Sequence, residues 1–477
     1  MDIPAITAPT MVWLRRDLRL TDQPALAAAL AAGGPILPVF IWAPEEEAPW
    51  APGAASRWWL HHALADYDAQ LRACGSRLIL RAGPSLETLL DLATQSGAKK
   101  VCWNTLPEPA AQKRDVAVAA GLRAQGLRVE LFSGALLFNH ETILNQSGKP
   151  FQVFTAFWRR CLAAPPPPPP KKLPLGGLAR RAPRRWPKSA PLQSLGLLPR
   201  GHWDQGFYTA WEPTLTGAQK RMRKLQKHSI ARYATTRDTP GKDGTSRFSP
   251  YLHFGQISPR QAWRAGAASK KFLAELGWRE FAHYLLRHFP QMPARPLREE
   301  FLRFPWPRRA GFLRAWQRGR TGYPLVDAGM RELWQTGWMH NRVRMVCASF
   351  LVKHLRQPWT DGAAWFWDTL VDADLANNAM GWQWVAGCGA DAAPYFRVFN
   401  PTLQGERFDP DGEYVRRYVP ELAKLPAAFI HAPWRAPQEV LREAGVILGK
   451  NYSRPMVEHE SARRNVLRDF QKMSKAL

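Results

Sequence analysis

The sequence predicts two folded units, an α/β domain built on a doubly wound parallel sheet followed by an all-α domain. Three observations predict it. Residues 11–135 alternate short apolar strand patterns with helical ones, a proline-rich basic stretch follows, and beyond about residue 211 the apolar spacing is helical to the end. A chain of 477 residues exceeds one ordinary domain, and its 45% apolar and 22% charged residues are globular proportions. The boundaries read as 1–135 for the α/β domain, 136–210 for an interdomain linker and 211–477 for the helical domain.

In the first unit, MVWL is a strand and leads into a loop carrying Arg15, Arg16, Asp17 and Arg19. Thr21 or Asp22 can cap a helix through PALAAALAA, which Gly33 and Gly34 end. ILPVFIW, RLILRAG, KKVCWN and LRVELF supply further strands, separated by the helical patterns RWWLHHALADYDAQLRACG, SLETLLDLATQSG and QKRDVAVAAGLRAQG. No GxGxxG follows the first strand, so an ordinary dinucleotide site is not indicated. A ligand can still lie at the carboxyl ends of the strands, where such sheets bind things.

The linker holds six consecutive prolines and then Lys171, Lys172, Arg180, Arg181, Arg184, Arg185 and Lys188 with no acid among them. Proline excludes regular structure and favours polyproline II, which makes this a stiff, solvated connection. In the second unit, AQKRMRKLQKHSIARYA predicts one basic helix. DGTSRFSPYLHFGQISPRQAW predicts a loop opening into a helix at its second Ser-Pro, and KKFLAELGWREFAHYLLRHF an amphipathic helix.

Sixty-six Lys and Arg against thirty-nine Asp and Glu leave a net charge of +27, whose simplest use is attraction to a polyanion, with nucleic acid as the leading partner. Twenty-two tryptophans exceed what core filling requires and point to stacking or electron chemistry. Five scattered cysteines without a CxxC argue against a disulfide framework and against a zinc site. No run is apolar enough to span a membrane, and the N-terminus lacks secretory-signal features, so the expected location is cytoplasmic.

Polar and aromatic groups recur at helical spacing between Trp338 and Pro401. Asp374, Asn378 and Trp382 fall at i, i+4 and i+8 and share one face, whereas Trp384 lies roughly 200° around from Trp382 and faces elsewhere. Glu275 with Trp278, and Asn341 with Met345, also share faces. A carboxyl, amides, a thioether and indoles suit a flat heterocycle with imide edges. Taken singly, each has a plainer use: Asp374 as a cap, Glu275 as the partner of a lysine on its own helix, and Met345 as core filling.

WLRRDLRLTDQPAL, DGTSRFSPYLHFG, WREF, TGYPLVDAGMREL, GWMHNRVRM and DADLANNAMGWQWVAGCGADAAPYFRVFNP resemble the photolyase and cryptochrome family, in order, from about Val12 to about His459. The resemblance implies an N-terminal antenna domain, a C-terminal domain holding FAD, and light-driven repair of cyclobutane pyrimidine dimers, with a cryptochrome-type photoreceptor as the alternative. Tyr233, Thr245, Ser246, Phe248 and Ser249 match the loop that holds the flavin phosphates. Arg344 and Asp372 match an ion pair beside the flavin ring, Asp374 a carboxylate at its edge, and Asn378 the side chain facing N5. A neutral amide there favours the reduced anionic flavin that repairs DNA.

Trp306, Trp359 and Trp382 match the family's electron-transfer tryptophans, and Glu275, Trp278, Asn341, Met345 and Trp384 match its pocket for a flipped-out dimer. Photolyases are among the enzymes known to extrude their target base. Arg237, Arg342 and Arg397 match phosphate-contacting arginines. Asn341 and Met345 stand where (6-4) photolyases carry histidines, and DASH-type members have glutamine at the methionine position. Met380 and Phe272 depart from the commonest patterns. Glu108 falls near the glutamate that holds methenyltetrahydrofolate, favoured here over 8-hydroxydeazaflavin as antenna; it is equally placed to cap the next helix. The partner implied is UV-damaged DNA bound by a monomer.

Overall fold

The computed structural model describes residues 8–392 and 396–475. Residues 1–7, read above for a secretory signal, and residues 393–395 of the last family motif lie outside them. The N-terminal unit runs β1 (Thr10–Leu14), α1 (Pro24–Ala32), β2 (Ile36–Trp42), α2 (Ala54–Ala73), β3 (Ile79–Ala82), α3 (Ser85–Ser96), β4 (Lys100–Asn104), α4 (Pro109–Ala124) and β5 (Arg128–Phe132). The five strands form one parallel sheet in the order β3-β2-β1-β4-β5. Helices cover both faces, which is why β1 is buried at every position and β2 at all but its last. The order reverses at β1, so the carboxyl ends of β1 and β4 flank a crevice.

The cap of α1 differs from the expected Thr21 or Asp22. Gln23 is the cap, its side-chain oxygen accepting the Leu26 N–H at 2.7 Å. Asp22 is committed elsewhere: with φ at 51° it accepts the Ser258 hydroxyl at 2.5 Å, Arg260 Nε–H at 3.0 Å and the Lys171 N–H at 3.0 Å. Fully buried Arg19 beside it donates to the carbonyls of Asp22, Gly134 and Gly255. Gly255 has φ +70°, and a Cβ there would lie 2.3 Å from the Arg16 carbonyl oxygen, so only glycine lets the helical half approach this loop.

Residues 136–210 form more than a connection. The proline run carries no regular structure, but around it stand α5 (Phe154–Leu162), α6 (Gly177–Arg180) and α7 (Gln205–Ala210). Phe157 and Cys161 of α5 are fully buried against the helical half, an amphipathic stripe that the adjacent prolines obscure in the sequence.

The C-terminal unit continues through α8 (Leu215–Lys224), α9 (Tyr233–Thr236), α10 (Ser249–His253), α11 (Pro259–Ala265), α12 (Lys270–His288), α13 (Ala310–Gln317), α14 (Pro324–Thr336), α15 (Asn341–Ser349), α16 (Trp359–Thr369) and α17 (Leu375–Ala386). Shorter helices and a final helix, His459–Lys475, complete it. The expected single basic helix over 218–234 is broken. After Lys224 one wide turn intervenes, with Ile230 N–H reaching the Leu225 carbonyl at 2.8 Å, and Tyr233 begins a separate short helix. Both Ser-Pro pairs open helices, α10 and α11; the second is fixed by a reciprocal Ser258–Gln261 capping box. Among the described residues, no helix is long and apolar enough to cross a membrane.

Helices α16 and α17 pack so closely that a Cβ on Gly362 would fall 2.1 Å from the ring of Trp382, which is itself 2% exposed and has nowhere to move. Gly362→Ala is therefore expected to destabilise the protein by about 1–3 kcal/mol through overpacking, read as a lowered midpoint of urea unfolding.

Candidate active site

A cavity of about 620 Å³ opens in the helical half, within the usual range for ligand pockets. Most of it is built by the loop from Thr245 into α10, one face of α12, the first turns of α15, and α17 with the turn before it, and Tyr233, Arg237, Phe366 and Asp391 complete the lining. The i, i+3 pair Glu275 and Trp278 enters from α12, and the i, i+4 pair Asn341 and Met345 from α15, flanked by Arg342 and Arg344. Asp374, Asn378 and Trp382 line the wall as the helical spacing required. Trp384 lines it too: its indole turns from Trp382 and donates to the Asp391 carbonyl at 3.0 Å, while Trp382 packs on Phe366 (5.0 Å) and Trp316 (6.1 Å).

Several of these side chains perform their plainer duty at the same time. Asp374 is the N-cap of α17, accepting the Asn377 N–H at 2.9 Å. Its other oxygen meets His283 at 3.3 Å and His253 at 3.6 Å. Burial opposes ionisation of Asp374, but these two histidines outweigh it and hold the carboxyl well below the usual carboxylate range. Glu275 pairs with Arg237 at 2.9 Å and with Lys271 of its own helix at 3.4 Å. Arg344 grips Asp372 through one nitrogen, 2.8 and 3.1 Å from the two carboxylate oxygens. Asn378 donates Nδ2–H to the Ala363 carbonyl at 3.0 Å, which fixes the amide's orientation because a carbonyl oxygen can be met only by N–H.

Tyr233, Thr245, Ser246, Phe248 and Ser249 border the cavity together, and burial, then Glu275, push the Tyr233 hydroxyl up to about 12. Met380 and Phe272 also line it. Arg342 bonds to Asp238 at 3.0 Å and lies 4.5 Å over the Phe408 ring. Arg397 is outside this lining; it borders a small neighbouring cavity with Arg298, Lys353 and Trp384. Trp359 is buried and Trp306 half-buried in the hydrophobic core that contains Trp382, with Trp306 against Phe304 at 4.5 Å.

Lining residues that the sequence reading passed over are Arg247, His253, Lys271, Arg279, Trp338 and Asp391. Arg247 has φ 52° and lies 4.6 Å over Trp338. Nothing in the spacing of Arg247 and Trp338 along the sequence brings them together. The lining suits an acceptor-rich, flat guest such as FAD. Hydroxyls and cations gather at one part of it, and the Nε–H groups of Arg237 and Arg247 and the indole N–H of Trp382 are buried without a partner in the protein.

Glu108 stands at the N-cap position of α4 but makes no side-chain cap bond. Its carboxylate instead takes Arg16 at 2.7 Å in the crevice between the two halves, where the free space is only about 30 Å³.

His340, the N-cap of α15, accepts the Arg342 N–H on Nδ1, and burial pushes it down to about 4. Burial likewise takes His354 to about 3. The unfolded chain binds these protons near pH 6.5, so stability is full above that value and declines as pH falls from 6.5 towards 4. Each such histidine contributes a slope approaching 1.4 kcal/mol per pH unit. Thermal melts are expected to drop between pH 7 and pH 5, and His340→Asn, which keeps a capping side chain, is expected to make that drop shallower.

Residues 272–472 match the FAD binding domain of DNA photolyase, and residues 10–174 match DNA photolyase. A deoxyribodipyrimidine photo-lyase of Agrobacterium fabrum is 45% identical over 479 residues, covering 98% of this chain and 99% of that protein. Cryptochrome-1 of Arabidopsis thaliana is 41% identical over 478 residues, 95% of this chain and 69% of that protein. The crystal structure of a bacterial class III photolyase from Agrobacterium tumefaciens aligns over 100% of both chains with a TM-score of 0.95 and 44% identity. That of a Synechocystis cryptochrome aligns over 97% of this chain and 99% of its own, with a TM-score of 0.86 and 28% identity. An α/β sheet domain joined to a helical FAD-binding domain, matched along its whole length by these relatives, places the chain in the DNA photolyase and cryptochrome family.

Proposed function

We propose that this protein is a light-driven deoxyribodipyrimidine photolyase, a carbon–carbon lyase that reverses cyclobutane pyrimidine dimers in DNA. The observation that carries this reading is a single cavity lined both by Arg344, Asp372, Asp374 and Asn378 and by Glu275, Trp278, Asn341, Met345 and Trp384. The first group suits a flavin and the second a flat, imide-edged lesion, so cofactor and damaged bases share one chamber. Reduced FAD held there would supply, on excitation by blue light, the electron that opens the cyclobutane ring, and would take it back once the ring has split, so the repair is redox-neutral.

The chain's own contributions are positional. Trp278 and Trp384 offer flat apolar walls that exclude water and receive the extruded bases. Glu275 accepts an imide N–H from the lesion, and Asn341 fixes the carbonyl edge. Asn378, a neutral amide tethered to Ala363, has no acidic proton to deliver to the ring. Tyr233, Thr245, Ser246, Phe248 and Ser249 hold the cofactor's phosphates through hydroxyls and N–H groups. Trp306, Trp359 and Trp382 carry electrons inward from the surface.

Arg237, Arg342 and Arg397 take backbone phosphates without reading sequence, and the +27 charge makes binding weaken with salt. The protein acts as a monomer on cytoplasmic DNA. A second chromophore serves as antenna, methenyltetrahydrofolate rather than 8-hydroxydeazaflavin, with Glu108 as its contact: one carboxylate oxygen pairs with Arg16 and the other is buried without a partner in the protein.

The deciding experiment is blue-light repair of dimer-bearing oligonucleotide by reduced, FAD-loaded protein. Dimer loss supports the reading. No loss under conditions where the Agrobacterium relative is active would leave the photoreceptor alternative, which the likeness to plant cryptochromes favours.

A further inference from the structure

We propose that Asp391 and Phe154 are positioning residues that hold the two tryptophan walls of the lesion chamber as one clamp. This rests on the repair reading above and names how its pocket is kept to shape. Trp278 is on α12 and Trp384 on α17, and no direct bond between them sets their separation; a third element does.

Phe154 at the start of α5 lies flat on Trp278, ring centroids 3.8 Å apart and planes 9° apart. Its backbone N–H donates to Asp391 Oδ1 at 3.2 Å. Asp391 in turn donates its own N–H to the Gln152 carbonyl at 2.9 Å and accepts the Trp384 indole N–H on its carbonyl at 3.0 Å. One residue thus ties the wall on α17 to the helix that backs the wall on α12. Asp391 lines the cavity and has φ 52°, a left-handed conformation that aspartate and asparagine tolerate better than other side chains.

The seat of α5 against α12 is equally specific. A Cβ on Gly277 would lie 2.6 Å from the Trp158 ring, so the glycine lets the two helices approach, and Trp158 extends the Phe154 stack at 6.2 Å and 12°. The wall is therefore set partly from residues 150–158, outside the helical domain proper, and a lesion entering the chamber meets a Trp278 ring already backed by the Phe154 stack.

Binding of dimer-bearing and intact DNA tests this, with Phe154→Ala, Phe154→Tyr, Asp391→Ala and Asp391→Asn made in the full-length, FAD-loaded protein. The alanine variants should lose about three- to tenfold in affinity for dimer-bearing DNA while affinity for intact DNA and flavin content stay unchanged. Phe154→Tyr and Asp391→Asn, which keep the ring and the αL-tolerant acceptor, should restore discrimination to within about twofold. In a Trp278→Ala background, Phe154→Ala should cost nothing further, because its effect passes through that indole.

Equal losses on both DNAs, loss of flavin, or an undiminished effect in the Trp278→Ala background would show a general structural role and overturn the proposal. So would full discrimination by Phe154→Ala. A wild-type protein that does not discriminate at all would overturn the repair reading, and the clamp with it.

Discussion

Glu275→Ala is expected to lower dimer repair by about ten- to a hundredfold at unchanged flavin content, the loss of one charge-assisted hydrogen bond to the bound lesion. The side chain is a quarter exposed and faces the cavity between Arg237 and Lys271. Removing it frees Lys271, leaves Arg237 to Asp238 at 3.6 Å, and leaves the lesion's N–H to water. Because Arg237 then has one fewer anion beside it, binding of intact DNA should hold or rise slightly while repair falls. Glu275→Gln, an acceptor without the charge, should fall between alanine and wild type. Single-turnover repair at saturating protein, alongside the flavin absorbance of each variant, measures this; flavin loss in the alanine variant would mean that Glu275 serves the cofactor instead.

Glu280→Ala should have the largest effect on stability, about 3–5 kcal/mol, as for other buried charges stripped of their partner. Glu280 is 1% exposed in the middle of α12 and accepts the backbone N–H groups of Leu137 and Phe138 at 3.0 and 3.3 Å. It also meets His140 at 3.2 Å and Arg279 at 3.3 Å. Alanine would orphan two backbone donors and leave Arg279 uncompensated. Such a loss is a large share of ordinary folding stability, so the variant should show a steep fall in urea midpoint, and Glu280→Gln a smaller one. Burial opposes ionisation of Glu280, but His140, Arg279 and His283 hold its pKa below the ordinary carboxylate value. Its contribution is therefore present above that value and is lost only as pH falls further.

The strand and helix alternation of the first half was legible because each strand there is a continuous apolar run between turn residues, a local signal. The shared faces of Glu275 with Trp278 and of Asn341 with Met345 were legible because a helix converts spacing into direction. What sequence could not supply were the meetings between elements. Asp22 looked like a cap because it precedes a helix; its oxygens are taken by Ser258 and Arg260, more than 230 positions away, and Gln23 caps in its stead. Glu108 looked placed to cap α4, and it makes no cap bond; the residue it pairs with, Arg16, is 92 positions distant. Phe154 and Asp391 gave no signal at all, one hidden beside a proline run and the other joining a side-chain bond to Phe154 with a backbone bond to Trp384 that no spacing announces. The same holds for the break in the basic helix after Lys224, since nothing in its charges marks the wide turn.

The contact around Arg19, Asp22 and Gly255 bears on how the protein comes apart. Its bonds run between residues 17–22, 134, 171 and 254–260, so they join the sheet unit, the proline-rich segment and the helical unit at one buried point. Neither half can release the other without exposing a fully buried guanidinium and carboxylate. The two units should therefore melt in one cooperative transition, with calorimetric and van't Hoff enthalpies agreeing, and the isolated N-terminal half should not be an autonomous folding unit.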